Sequence, residues 1–123
     1  MILGIGTDIV EISRIAKVVS TGAFLRKCYT NAEADRCNSA GVTAAENFAG
    51  YFAAKESVAK ALGTGFRGFS PKDIEIFHDE LGKPIVNLSE KIIKNTGIAK
   101  DVKIHISISH GKEHAVAMAV IEG

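Results

Sequence analysis

The sequence predicts a small α+β domain, in which a mainly antiparallel sheet packs on one long and several short helices. Its 123 residues are 46% apolar, which is enough for one modest core and too little for two. Segments with period-two alternation outnumber long helical segments, and the two kinds do not alternate regularly along the chain. This order favours an antiparallel sheet over a doubly wound one. Residues 1–123 are therefore expected to form a single domain.

Charge and composition argue against several classes of function. Fifteen Lys and Arg face fourteen Asp and Glu, a net charge of +1, so the chain lacks the basic footprint of a nonspecific nucleic-acid binder. No apolar run reaches the roughly 18 residues of a membrane span, and we expect neither an anchor nor a signal peptide. Cys28 and Cys37 are the only cysteines, which suits a reducing cytoplasm better than a disulfide framework.

The first two predicted elements bring a carboxylate to the end of a strand. Residues 2–6 are a short apolar strand candidate, and its glycines permit another backbone to approach closely. Asp8 follows where this strand should end. Apolar residues then recur at helical spacing over residues 12–19, and residues 20–22 should stop that helix.

The middle of the chain is predicted to be helical. A capping box at residues 30–33 opens a short helix. A second box at residues 43–46 opens the strongest element, a helix that runs to about Leu62 and ends at Gly63. Lys55 falls within the apolar stripe of this helix, and we expect its stem to snorkel past its neighbours toward solvent.

The second half of the chain predicts two antiparallel strand pairs with one short helix between them. Apolar and polar residues alternate in four segments, and a turn separates the members of each pair. The predicted elements are a hairpin over 73–77 and 84–88, a helix over 89–96, and a strand pair over 104–109 and 115–121. The outward face of the third strand, His105, Ser107 and Ser109, could line an anionic ligand or simply face solvent.

Two motif matches lack the local structure that their chemistry needs. The Gly-x-Gly-x-x-Gly run at residues 63–68 follows a helix instead of opening one, so the helix N-terminus of a dinucleotide site is missing. The His-x-x-Glu-His run at residues 110–114 resembles a zinc-protease pattern. Gly111 and the flanking alternation favour a turn there, which separates the two imidazoles. A zinc hydrolase is kept as an alternative that metal analysis can test.

Asp8 and Glu56 are the most informative pair, since neither predicted environment suits a free charge. Burying an ionised carboxylate is costly unless a cation or hydrogen bonds compensate. Glu56 could pair with Lys60 one turn along, which adds about 0.2–0.5 kcal/mol if exposed. Alternatively, Asp8 and Glu56 could share a hard divalent cation, with water and phosphate completing its ligands. Lys60 would then face the same phosphate.

Three segments resemble the signatures of holo-acyl-carrier-protein synthases. They are GIGTDIVEISRI at residues 4–15, FAAKESVAKALGTG at residues 52–65 and SISH at residues 107–110. Residues 30–33, 72–75 and 82–84 match further landmarks of this family between those segments. The resemblance spans nearly the whole chain in order, and the combination is highly specific.

The resemblance implies a Mg²⁺-dependent 4′-phosphopantetheinyl transferase. Such an enzyme moves phosphopantetheine from coenzyme A to a serine of apo-acyl carrier protein and releases adenosine 3′,5′-bisphosphate. Family members are homotrimers with active sites between neighbouring chains. A non-catalytic binding module with the same fold is the competing hypothesis, and intact Asp8, Glu56 and Lys60 argue against it.

The motifs also imply a role for individual residues. Asp8, Glu56 and Lys60 are the implied catalytic residues, with the two carboxylates as metal ligands and Lys60 at the phosphates. The first helix is the family's docking element for the carrier protein, which indicates Arg14 and Lys17. The residues implied to contact coenzyme A are Lys60, Gly63, Lys83, Pro84, Ser109 and His110.

Two parts of the sequence depart from the family pattern. Tyr51 stands where relatives usually carry Arg, and residues 41–43 lack the basic residues often found ahead of the long helix. The group that holds the 3′-phosphate of coenzyme A is therefore left open. Lys83, Arg67 and a lysine from a neighbouring chain are the candidates.

Overall fold

The computed structural model describes all 123 residues and contains five strands and five α-helices. The strands are β1 (Ile2–Glu11), β2 (Ile74–His78), β3 (Pro84–Leu88), β4 (Lys103–His110) and β5 (His114–Glu122). The α-helices are α1 (Ile12–Val19), α2 (Gly22–Cys28), α3 (Asn31–Ser39), α4 (Ala44–Leu62) and α5 (Glu90–Thr96). Every strand pairing is antiparallel, which confirms the predicted α+β class.

The strands form two sheets rather than one. Strand β5 is central in a three-stranded sheet of order β1-β5-β4, and β2 and β3 form a separate hairpin. Helix α4 lies against the inner face of the larger sheet, where it packs on β1 and β5. The predicted hairpin, the helix α5 and the final strand pair are confirmed to within a few residues. None of the helices has the length and hydropathy that crossing a bilayer requires.

Strand β1 is longer than the sequence pattern predicted, and one helix was not predicted at all. Pairing with β5 continues to Glu11, opposite His114, so Asp8 lies inside the strand and not beyond its end. Helix α1 ends at Val19, as predicted, but Gly22 then begins α2, which the sequence did not indicate. Phe24 and the rest of α2 pack on the larger hydrophobic cluster. Both errors have the same cause, because distant contacts stabilise segments whose local pattern is weak.

The glycines of β1 allow the strand to touch α4 backbone to backbone, as the sequence predicted. A Cβ atom added to Gly6 would lie 1.9 Å from the carbonyl oxygen of Ser57, and one added to Gly4 would lie 1.9 Å from that of Ala61. No side chain fits in these positions unless the strand and the helix separate. The two glycines therefore set how closely Asp8 approaches α4.

We expect Gly6→Ala to destabilise the protein by about 1–3 kcal/mol, because the added methyl overlaps backbone that cannot rotate away. Urea unfolding would report this as a lower midpoint with an unchanged slope. Gly111→Ala is the matched control, since nothing lies within 4 Å of its added Cβ and its φ is not positive. Equal midpoints for the two variants would contradict the proposed contact.

The two predicted capping boxes have different outcomes. At α3 the box is confirmed, with the Thr30 amide donating to Glu33 Oε1 at 2.8 Å and the Glu33 amide donating to Thr30 Oγ1 at 3.2 Å. At α4 the predicted box is wrong, because Thr43 belongs to a 3₁₀ turn and its hydroxyl donates to the carbonyl oxygen of Ala40. The helix still begins and ends as predicted, with Gly63 left-handed at φ 81°.

Lys55 does not reach solvent, so the snorkelling prediction is wrong. Its side chain is completely buried, and its Nζ donates to Glu33 Oε1 at 2.8 Å. The same nitrogen donates to the carbonyl oxygens of Pro71 at 3.0 Å and Ile74 at 2.7 Å. Glu33 Oε2 in turn accepts from the amide of Ile76. This buried ion pair ties α3, α4 and β2 together.

Candidate functional site

Asp8 and Glu56 line one cavity of about 340 Å³ between β1, α1, α2 and α4. Alternation along β1 puts Asp8 on the same side as Gly4 and Gly6, facing α4. Glu56 lies on that helix, one turn before Lys60. Phe24 of α2 and Phe52 of α4 contribute apolar wall. A single chain therefore brings together the two carboxylates that the sequence indicated, while their role as metal ligands stays a prediction.

Lys60 contacts Asp8 and not Glu56, and these three residues are called the carboxylate cluster below. Its Nζ donates to Asp8 Oδ1 at 3.2 Å and to the carbonyl oxygen of Thr7 at 2.9 Å. No ion pair forms between Glu56 and Lys60, so that sequence-based interpretation is wrong. The Lys60 side chain is 54% exposed and that of Asp8 18% exposed, so the lysine lies beside Asp8 on the solvent side, where a ligand could reach it.

Within the carboxylate cluster, Glu56 has a pKa shifted by its surroundings. Burial raises its pKa above the ordinary value, the nearby charge of Asp8 raises it further, and Lys60 opposes both effects. Arg14 also lines this cavity, yet the pKa of Glu56 stays raised, so the positive charges present do not offset its burial and the charge of Asp8. A bound cation would relieve this repulsion.

The donor set fits Mg²⁺. Two carboxylates offer hard oxygen ligands, and Mg²⁺ is commonly held by one or two carboxylates together with water and substrate phosphates. The structure contains no convergent group of three or more His, Cys, Asp or Glu side chains. His110 and His114 flank a turn in which the Gly111 amide donates to the His114 carbonyl oxygen. The predicted turn is confirmed, and the helical spacing of a zinc protease is not formed.

The predicted coenzyme A residues are distributed over other parts of the chain. His110 and Pro84 line a second cavity of about 220 Å³, beside Tyr51. Ser109 and His110 line a third, of about 550 Å³, at the turn between β4 and β5. That third cavity meets the Asp8 cavity at Ile9, which lines both.

Gly63 and Lys83 line neither the Asp8–Glu56 cavity nor the two others. Gly63 closes α4, and Lys83 is exposed in the hairpin turn. Asp79 holds that turn, because its Oδ1 accepts from the amides of Leu81 and Lys83 at 2.9 Å. The Gly63 amide donates to the carbonyl oxygen of Lys60 at 3.0 Å, and the roles of Gly63 and Lys83 toward coenzyme A stay predictions.

Arg14 lines the Asp8–Glu56 cavity, which the sequence did not indicate. Its role in docking the carrier protein stays a prediction. Lys17 is exposed one turn further along α1. Sequence analysis also missed the contribution of α2, whose seven residues carry too little periodic pattern to be recognised.

Comparison with known proteins gives a consistent result. A family model described as the 4′-phosphopantetheinyl transferase superfamily matches residues 4–119. A holo-[acyl-carrier-protein] synthase from Clostridium beijerinckii is 51% identical over 128 residues, which cover 99% of this chain and 98% of that protein. The crystal structure of a holo-(acyl-carrier-protein) synthase from Bacillus anthracis, in complex with CoA (3′,5′-ADP), is 39% identical with a TM-score of 0.83 and covers 100% of this chain and 98% of that chain. A Helicobacter pylori synthase in complex with coenzyme A is 32% identical with a TM-score of 0.82, covering 96% of this chain and 99% of that chain.

Proposed function

The chain belongs to the 4′-phosphopantetheinyl transferase superfamily, among its holo-acyl-carrier-protein synthases, and from this membership we propose its reaction and mechanism. It transfers 4′-phosphopantetheine from coenzyme A to a serine of apo-acyl carrier protein and releases adenosine 3′,5′-bisphosphate. The observation that carries the mechanism is that Asp8 and Glu56 line a single cavity, while Lys60 donates a hydrogen bond to Asp8. These side chains offer oxygen ligands for a cation and an ammonium group for a phosphate.

Asp8 and Glu56 would hold Mg²⁺. When bound, the ion neutralises charge on the pyrophosphate and on the leaving bisphosphate. Lys60 adds a second positive charge beside Asp8 on the solvent side, where it can meet the same phosphates. Phosphoryl transfer depends mostly on positioning and electrostatic stabilisation, which these three side chains supply.

The proton of the attacking serine needs an acceptor. A carboxylate bound to a metal is a weak base, so we assign this role to a water molecule held by Asp8 or Glu56. Phe24 and Phe52 contribute apolar wall to the cavity that would hold this water. Asp8 and Glu56 thus orient the base as well as the metal.

We further propose a homotrimer with active sites between neighbouring chains. The outer face of the larger sheet, opposite α4, carries Ile5, Ile9, Val116 and Met118, which are 40% to 68% exposed. A contiguous apolar face of this kind marks an association surface. Apart from Lys60, which contacts Asp8, the residues implied to bind coenzyme A do not line the Asp8–Glu56 cavity, as a site shared between chains would require. Sedimentation equilibrium tests this proposal, and a mass of one chain would contradict it.

Two buried, free cysteines also suit the cytoplasm, where we place the protein.

The reaction itself is tested by incubating the chain with coenzyme A, apo-acyl carrier protein and Mg²⁺. Mass spectrometry should find phosphopantetheine on the carrier protein, and a chelator should prevent the transfer. An unmodified carrier protein would contradict the proposed function. Elemental analysis of the purified protein separates this hypothesis from a zinc hydrolase.

Arg14 and Lys17 are the proposed docking residues for the acidic carrier protein. We expect Arg14→Glu to raise the KM for carrier protein roughly tenfold and to weaken its salt dependence, because complementary charge mainly steers association. Steady-state kinetics at two ionic strengths would measure both effects. Lys94→Glu on the exposed side of α5 is the matched control. An unchanged KM for Arg14→Glu would place the docking surface elsewhere.

A further inference from the structure

A cavity of about 290 Å³ opens between α3, α4 and β2, outside the carboxylate cluster. It is lined by Arg36, Ser39, Ala40, Asn47, Tyr51 and His78. All of its polar side chains can donate hydrogen bonds, and no carboxylate lines it. None of the ion pairs in the structure includes Arg36. The cavity therefore offers an unpaired guanidinium group among neutral donors, which is the chemistry of an anion site.

Tyr51 and His78 form an ordered pair in this wall. Their rings stack with centroids 5.7 Å apart, and Tyr51 Oη lies 3.1 Å from His78 Nδ1. Burial raises the pKa of Tyr51 to about 12, with Arg36 opposing the rise. The phenol therefore keeps its proton and can donate it to Nδ1. The Nε2–H of His78 is then the donor left available to a ligand.

The neighbouring charges make Arg36 the source of the positive charge. Burial lowers the pKa of His78, Arg36 lowers it further, and Asp79 opposes both effects. His78 is therefore neutral at physiological pH. The guanidinium group of Arg36 therefore supplies the positive charge of the cavity.

This cavity adjoins the one that holds two predicted coenzyme A residues. Asn47, Tyr51 and His78 line both cavities, and the second also contains Pro84 and His110. Glu46 lines only the second, where its Oε2 is buried without a hydrogen-bond partner. A carboxylate there repels a phosphate, so an anionic group that reaches this region is favoured on the Arg36 side.

We propose that Arg36, assisted by the side chains of His78 and Tyr51, binds the 3′-phosphate of coenzyme A. The inference rests on the proposed function, since it takes coenzyme A to be the substrate. In this role Arg36 replaces the Arg that relatives usually carry at the position of Tyr51. The inference also assigns to α3 and β2 a role that the sequence left open among Lys83, Arg67 and a neighbouring chain.

The test compares ligands with and without the 3′-phosphate. Calorimetry should show adenosine 3′,5′-bisphosphate binding about 10- to 100-fold more tightly than AMP, as expected for charge-assisted hydrogen bonds. Arg36→Gln should remove most of this preference, and His78→Phe, which keeps the ring stack, should remove part of it. Lys94→Gln, on α5, should retain it. Arg36 is exposed, so its variant is expected to fold.

The same proteins should then be compared in transfer from coenzyme A and from 3′-dephospho-coenzyme A. Loss of the preference for coenzyme A in Arg36→Gln supports the inference. The inference would be overturned by an unchanged preference in Arg36→Gln or by the absence of a preference in the unmodified protein. It would also be overturned if only Arg67→Gln or Lys83→Gln lost the preference. Selective bisphosphate binding without any transfer would instead contradict the proposed reaction and leave the phosphate site supported.

Discussion

Glu56→Gln is expected to lower Mg²⁺-dependent transfer by at least about 10²–10³-fold, the range found when one preorganised electrostatic group is removed. The amide keeps the size of the side chain and removes the negative charge that a cation requires. Single-turnover transfer to apo-acyl carrier protein, followed by mass spectrometry, measures the effect. Glu90→Gln on α5, whose exposed carboxylate pairs with Lys100, is the matched control and should transfer normally.

The same substitution should leave the metal-free protein folded. Burial and the charge of Asp8 raise the pKa of Glu56, so ionised Glu56 opposes folding above that raised pKa and the amide removes this penalty. The midpoint temperature of thermal unfolding at neutral pH should therefore be no lower in Glu56→Gln than in the unmodified protein. A folded variant with a near-normal rate would exclude Glu56 as a metal ligand.

The raised pKa also gives the direction of the pH dependence. Metal binding requires the ionised carboxylate, so transfer by the unmodified protein should fall as pH decreases through the pKa of Glu56. Raising the Mg²⁺ concentration should move this fall to lower pH, because the metal competes with the proton for the same oxygens. A pH profile indifferent to Mg²⁺ concentration would argue against shared ligation by Asp8 and Glu56.

Lys55→Met should be the most destabilising of the proposed substitutions, by about 3–5 kcal/mol, because it leaves the buried Glu33 carboxylate without its cation. The methionine fills similar volume, so the loss is electrostatic rather than a cavity effect. Urea unfolding of the single variant gives the size of the change. Lys94→Met, at an exposed helical position, is the control and should lie within about 0.5 kcal/mol of the unmodified protein.

A double variant separates the ion pair from simple packing. Lys55→Met combined with Glu33→Gln removes both charges, while the glutamine oxygen can still accept from a backbone amide such as that of Ile76. We expect the double variant to be more stable than Lys55→Met alone, since no unpaired charge remains buried. If the loss of stability in the double variant equals the sum of the losses in the two single variants, the two side chains act independently.

Local signals account for the elements that were predicted correctly. Gly63 ends α4 because it adopts a left-handed conformation at φ 81°. The box at Thr30 and Glu33 begins α3 through hydrogen bonds between residues three apart. Period-two alternation identified the hairpin and the final strand pair. Each of these signals is contained within a few residues, so it can be seen in the sequence.

The errors concern residues whose environment is set from a distance. Pairing with β5 extends β1 past Asp8, although the local pattern ends earlier. Helix α2 was not predicted, because it is stabilised by Phe24 and Leu25, which pack on a cluster assembled from other elements. Thr43 fails to cap α4 because the preceding 3₁₀ turn offers its hydroxyl the carbonyl oxygen of Ala40.

The amino-acid sequence by itself determined the α+β class, the limits of α4, the family and the candidacy of Asp8 and Glu56. Only the tertiary structure decided how the charges are paired. Lys60 contacts Asp8, 52 residues away, instead of Glu56 on its own helix, and Lys55 contacts Glu33, 22 residues away. Helical periodicity specifies which side of α4 each lysine occupies. The partner it meets there depends on which strand or helix packs against that side, and this is a property of the folded chain alone.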